Sequence, residues 1–151
     1  MDALGDTAGA LATLTGRKIH IPKECMGVLG WSLESQVQLI VELIEFGRVR
    51  LHLREDISPK IEAKRTAVRD GDAATIRELL GAMDDKYREV AFYTKGSERT
   101  LYFDERTVVY LGILPNDQRK VFVEATKQTV DIMSLTYRNQ RLELLKDEIS
   151  V

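Results

Sequence analysis

Between Val37 and Arg54 the chain alternates apolar and polar residues twice, and no other stretch constrains the fold as tightly. Val37, Leu39, Val41 and Leu43 fall on one side of an extended segment, and Gln36, Gln38, Ile40 and Glu42 fall on the other. After Glu45-Phe46-Gly47 the alternation resumes, with Val49, Leu51 and Leu53 inward and Arg48, Arg50, His52 and Arg54 outward. Two alternating strands joined by a short Gly-containing turn predict a β-hairpin. Upstream, Lys18-Ile19-His20-Ile21 reads as a short strand stopped by Pro22. Lys23 to Leu29 then reads as about two turns of helix, ended by Gly30 as a left-handed C-terminal residue.

Ser58-Pro59 marks the expected domain boundary, because Ser-Pro starts turns and Pro suits the first position of a helix. Lys60–Arg69 and Asp72–Arg88 read as helices divided by Asp70-Gly71, the second with Asp72 as its N-cap and Ile76, Leu79, Leu80, Met83 and Tyr87 at helical spacing. Val90–Tyr93, a turn at Lys95-Gly96-Ser97, Arg99–Phe103 and Thr107–Leu114 read as a three-stranded antiparallel meander. From Pro115-Asn116-Asp117 a long C-terminal helix is expected to reach Glu148, with Val121, Ala125, Ile132, Leu135, Leu142, Leu145 and Ile149 as its apolar stripe. Its distal part is expected to pack on another subunit or on the first domain; a kink near Thr136 that folds it back is the alternative. The fold class is thus α+β, with a flexible N-terminus over 1–14, a β-rich domain over 15–57 and an α+β regulatory or oligomerisation domain over 58–151.

Composition narrows the function. The 151 residues carry 22 Lys+Arg against 24 Asp+Glu, a net charge of −2, which excludes a basic protein that wraps nucleic acid. No apolar run is long enough to span a bilayer, and Met1 to Leu14 lacks the positive start of a signal peptide. With one cysteine, Cys25, and so no internal disulfide, the expected setting is cytoplasmic. His20 and His52 lack a third ligand for a zinc site, so no metal is expected. Asp84-Asp85 and Asp104-Glu105 are neighbours in sequence and do not converge as an acid/base pair must. Cys25 has no activating base in view, and no Gly-rich phosphate loop occurs. An enzyme is not expected, nor a cofactor. Tyr87, Phe92, Tyr93, Tyr102, Phe103 and Tyr110 read as core and sheet packing, with a ligand pocket as the minority reading.

The run Gly16-Arg17-Lys18-Ile19-His20-Ile21-Pro22-Lys23-Glu24, followed by Val28-Leu29-Gly30-Trp31 and the hairpin, resembles the DNA-binding domain of the AbrB/SpoVT family of transition-state regulators. The likeness covers roughly residues 15 to 55, and the later part of the chain resembles no family. The resemblance implies a swapped-hairpin barrel in which two chains interleave, so a homodimer, with a homotetramer through the C-terminal helix as a further expectation. It implies a transcription regulator that binds double-stranded DNA. Arg17, beside Gly16, is the expected donor to a phosphate or base edge, with Lys18 and Lys23 next to it and the row Arg48, Arg50 and Arg54 as an additional stripe.

The chain departs from the family pattern where basic residues usually stand on the short helix, since Met26 and Gly27 occupy those positions. Residues 1–57 hold six basic and eight acidic groups, so the whole −2 resides in the DNA-binding-like part. Two alternatives follow. One is an oligomeric interaction protein that keeps the dimer and has lost DNA affinity. The other is an antitoxin-like regulator. The row of cations on the second hairpin strand has its own alternative, a solvated strand edge paired with Glu42.

Overall fold

The computed structural model describes residues 7–31, 38–68, 72–95, 98–113 and 118–149. The hairpin forms as the alternation predicts: β3 (Leu39–Glu45) pairs antiparallel with β4 (Arg48–Leu53), with a register shift between Leu43 and Glu45. Val37, the Asp70-Gly71 break, the Gly96-Ser97 turn and Pro115–Asp117 lie outside the described residues.

The hairpin is the middle of a larger sheet. Before it come β1 (Ala8–Thr13), β2 (Lys18–His20) and α1 (Lys23–Met26). After it come α2 (Arg54–Val68), α3 (Ala73–Lys86), β5 (Tyr87–Lys95), β6 (Glu98–Tyr102) and α4 (Glu105–Leu111). The last elements are β7 (Lys120–Ala125), β8 (Thr129–Ser134) and α5 (Leu135–Ile149). The fold is mixed α+β, with eight antiparallel strands in the order β1-β7-β8-β4-β3-β5-β6-β2. Strands from both sides of Ser58 therefore share one sheet, and β3–β4 pairs with β5 and β8 of its own chain.

The two ends of that order, β1 and β2, are consecutive in sequence and meet at the Thr15–Lys18 bridge, so the sheet is a nearly closed barrel. Val41, Val49, Leu51, Val121, Val123, Val130, Ile132, Ile19 and Leu101 fill its interior and are at most 1% exposed. One end is covered by α1 and Trp31, whose indole donates to Gln128 O at 2.9 Å, beside Gly30 N–H to Lys127 O at 2.8 Å. The other is covered by α4, whose Tyr110 O accepts from Gly47 N–H.

Several expectations are corrected. The N-terminal segment is ordered over Ala8–Thr13: small residues with little strand preference are held by the ladder to β7, from Ala8–Ala125 to Thr13–Lys120. The short helix stops at Met26, and Gly30 has no positive φ; a Cβ there would lie 3.0 Å from Lys127 O, a tight contact against the β7–β8 turn. Pro59 lies inside α2, which starts at Arg54 directly from β4. Thr107–Leu111 belongs to α4, so the meander has two strands, β5 and β6. Asp104 caps that helix by accepting from Thr107 N–H, and Gly112 closes it in the left-handed region at φ 60°. The long C-terminal helix is instead the β7–β8 hairpin followed by α5. Thr126 makes the turn between the strands, its hydroxyl accepting from Gln128 and Thr129 N–H.

Candidate polyanion-binding face

The outward row on β4 is engaged inside the sheet. β4 lies beside β8, with Arg48 opposite Met133 and Arg50 opposite Asp131. The Asp131 side chain, 7% exposed, accepts from Arg50 Nε at 2.7 Å and from Arg48 Nε at 2.9 Å, with a second bond from each guanidinium. Next along the strand, His52 bonds Glu42 at 2.9 Å, and Lys86 of α3 lies 3.5 Å from the same carboxylate. Arg54 donates to the Gln38 side-chain oxygen at 2.9 Å. Arg48 and Arg50 are thus brought together around one shared carboxylate, which offsets one of their two charges.

Glu42 gives this row a pH signature. The hydrogen bond from His52, with Lys86 beside it, holds its carboxyl at about 2, against the opposing effect of burial. The folded-state value lies below the unfolded one, so the stabilisation is fully present above the ordinary carboxylate range, near pH 4.3, and is lost as pH falls towards 2. Urea titrations from pH 7 to 2 should lose about 2–3 kcal/mol over this window, and Glu42→Gln should flatten that limb of the curve. An acid limb identical in the variant would show that this carboxylate does not drive it.

Arg17, Lys18 and Lys23 stand elsewhere. Arg17 follows Gly16 in the turn into β2, Lys18 points outward from β2, and Lys23 is the first residue of α1. Arg17 and Lys23 therefore lie towards opposite ends of one strand. In the sheet order β2 is four strands from β4 in either direction around the barrel, so the two groups of cations occupy opposite sides. The two histidines are separated in the same way, and His20 bonds Thr100 at 2.8 Å.

Among the described residues, no long helix packs over the side of the barrel around β2, and only α1 packs on β1 at the barrel's end. Helices α2 and α3 pack on β3, β4 and β5, and α5 packs on β7 and β8; none of the three packs across β1, β2 and β6. Leu11 and Tyr102, the latter opposite Lys18, are consequently exposed at 57% and 42%. Two cations that the sequence did not single out frame this face. Arg119 donates to Leu14 O at 2.7 Å and Gly16 O at 3.0 Å, and Lys120 donates to Thr13 Oγ1 at 2.8 Å. These contacts are to neutral oxygens, so the positive charges remain uncompensated. Among the described residues, Arg17, Lys18 and Lys23 have no carboxylate within ion-pair distance.

Cys25 is fully buried, and burial raises its thiol, which sits 3.5 Å from Val123 O under α1. It fills the end of the barrel beside the small residues of β1. No helix among the described residues is long and apolar enough to cross a membrane. No protein-family model matches the chain, and a search of curated proteins returns no match.

Proposed function

We propose that this protein is a regulator that binds double-stranded DNA through the outer face of β1, β2 and β6. The observation that carries this reading is the contrast between the two sides of the barrel. On β4, Arg48 and Arg50 share the Asp131 carboxylate and His52 bonds Glu42, whereas among the described residues Arg17, Lys18 and Lys23 have no carboxylate partner. Arg17 and Lys18 at the start of β2 and Lys23 beyond its end give a phosphate backbone three cationic contacts, with Arg119 and Lys120 at the edge of the face and Tyr102 opposite Lys18. The AbrB/SpoVT resemblance supports the same three residues. A homodimer, which that resemblance implies, would present the face twice. The stripe on β4 has no part in this binding.

Anisotropy titrations of duplex DNA at about 50 and 200 mM salt test it. The triple variant Arg17→Ala, Lys18→Ala, Lys23→Ala should bind at least about tenfold more weakly at the lower salt, and the slope of log K against log salt should fall by roughly 2–3. Arg54→Ala, on the opposite side of the barrel, should bind as the wild type does. The reading fails if the wild type shows no binding at low salt, or if the triple variant and the wild type share one curve.

A second reading, an interaction protein assembled through α5, draws on Leu142 and Leu144, exposed at 43% and 65%. Light scattering at micromolar concentration separates it: a monomer that still binds DNA removes it.

A further inference from the structure

We infer that the groove between α5 and the outer face of β7 and β8 is a binding site for a small phosphate monoester. The groove has a volume of about 210 Å³, and Arg48, Arg138 and Arg141 face into it alongside Phe122, Met133 and Leu142. It lies on a different face from the one proposed to bind DNA and does not depend on that reading.

The arginines are positioned before any ligand arrives. Arg138 stacks its guanidinium 4.0 Å from the centre of the Phe122 ring. That ring in turn lies against Gly9 of β1, where any Cβ would overlap it, so glycine there is what lets Phe122 lie flat beneath the arginine. Arg141 follows Arg138 by three residues, on the same side of α5, and donates to the Tyr137 hydroxyl at 3.2 Å. Tyr137 also donates to Glu45 and accepts from Arg48 at 3.5 Å.

The charge around these side chains is unbalanced. Arg48 shares Asp131 with Arg50, whereas neither Arg138 nor Arg141 has a carboxylate within ion-pair distance among the described residues. Two like charges one helical turn apart repel each other, and a dianionic oxygen cluster relieves this by accepting from both. A guanidinium stacked on a ring keeps its in-plane N–H donors free for that purpose.

Size and polarity select the class of ligand. The groove is smaller than the clefts of roughly 300–1,000 Å³ that hold drug-sized ligands, so it suits one phosphate and a compact apolar group. Phe122, Met133 and Leu142 give that group an apolar wall. Glu124, which also lines the groove without an ion-pair partner among the described residues, repels further phosphates and restricts the site to a single one.

Calorimetric titration of the full chain with phenyl phosphate, inorganic phosphate and pyrophosphate tests the proposal. Phenyl phosphate should bind at least about tenfold more tightly than inorganic phosphate, because only the ester uses the apolar wall. Equal affinities would assign the groove to free phosphate and overturn the monoester. The double variant Arg138→Gln, Arg141→Gln should lose binding by about tenfold or more while keeping its circular dichroism spectrum. Should that variant not fold, Glu124→Gln carries the test alone: it should tighten pyrophosphate by several-fold. No binding of any probe, unchanged binding in a folded double variant, or no response to Glu124→Gln each overturns the proposal. The triple variant of Arg17, Lys18 and Lys23 should bind phenyl phosphate as the wild type does, which separates this site from the DNA-binding face.

Discussion

Asp131→Ala is expected to lower the free energy of unfolding by about 3 kcal/mol, towards the low end of what removal of one partner from a buried ion pair costs. The Asp131 side chain is 7% exposed and Arg48 12%, so the loss leaves one guanidinium beneath α5 without its counter-charge. Arg50 is 34% exposed and can recover part of its solvation, which keeps the cost from doubling. The two arginines, adjacent on one face of β4, would also repel each other once the carboxylate is gone. Arg50→Ala should cost only about 1 kcal/mol or less, since it removes the more exposed member and leaves the Arg48–Asp131 pair intact. Urea denaturation at neutral pH measures both. If Asp131→Ala cost no more than Arg50→Ala, Asp131 would not be the anchor that holds β4 to β8.

Leu111→Ala is the second large effect, expected to cost about 2–5 kcal/mol. Leu111 is fully buried at the end of α4, where this helix covers the barrel next to the β3–β4 turn. The cost combines lost transfer energy with a cavity that the surrounding strands cannot close. Val109→Ala, at a residue 66% exposed, should stay within about 0.5 kcal/mol of the wild type. The pair discriminates between conformations. A strand would turn Val109 and Leu111 to the same side, whereas the helix turns Thr107 and Leu111 inward and Val109 outward. Similar losses at both positions would contradict the helix.

What was legible in the chain followed from how locally it was specified. The hairpin around Gly47 has alternation interrupted only at Ile40 and Ile44, and a glycine turn, so its pairing is legible without its neighbours. Helix α3 was equally clear, from Asp72 and the apolar spacing after it. The stretch Thr107-Val108-Val109-Tyr110-Leu111 has β-forming composition, yet Asp104 and Gly112 cap it at both ends as a helix, and the caps were the better signal. For β7 and β8 two periods competed: Val121, Val123 and Ala125 alternate, but Val121 and Ala125 also fit a helical step. The turn that decides between them contains neither glycine nor proline and depends on the Thr126 hydroxyl. Strand β1 is not legible from its own small residues, because what holds it extended is the ladder to β7, whose pattern also fits a helix.

The same limit applied to the candidate sites. Arg17, Lys18 and Lys23 were found from a motif, but their separation from the β4 row depends on the sheet order, which no local pattern contains. Asp131 belongs to no motif, and its position between Val130 and Ile132 gains meaning only from the pairing of β8 with β4. Arg138 and Arg141 are a basic pair on a helix like many others. Only Phe122 and Gly9, from distant strands, make them a site.

The barrel's seam has a consequence for the order in which the chain can acquire structure. Strand β1 emerges first in synthesis, yet its hydrogen-bonding partner is β7, and β2 must wait for β6. The central hairpin needs only its own short turn to begin pairing. Closing a loop across most of the chain costs more entropy than closing the hairpin turn, so the N-terminal strands are expected to join last, onto a sheet built from the hairpin outward. Until then the edges of β6 and β7 are open, and it is in this interval that a strand from a second chain can take the place of β1 or β2.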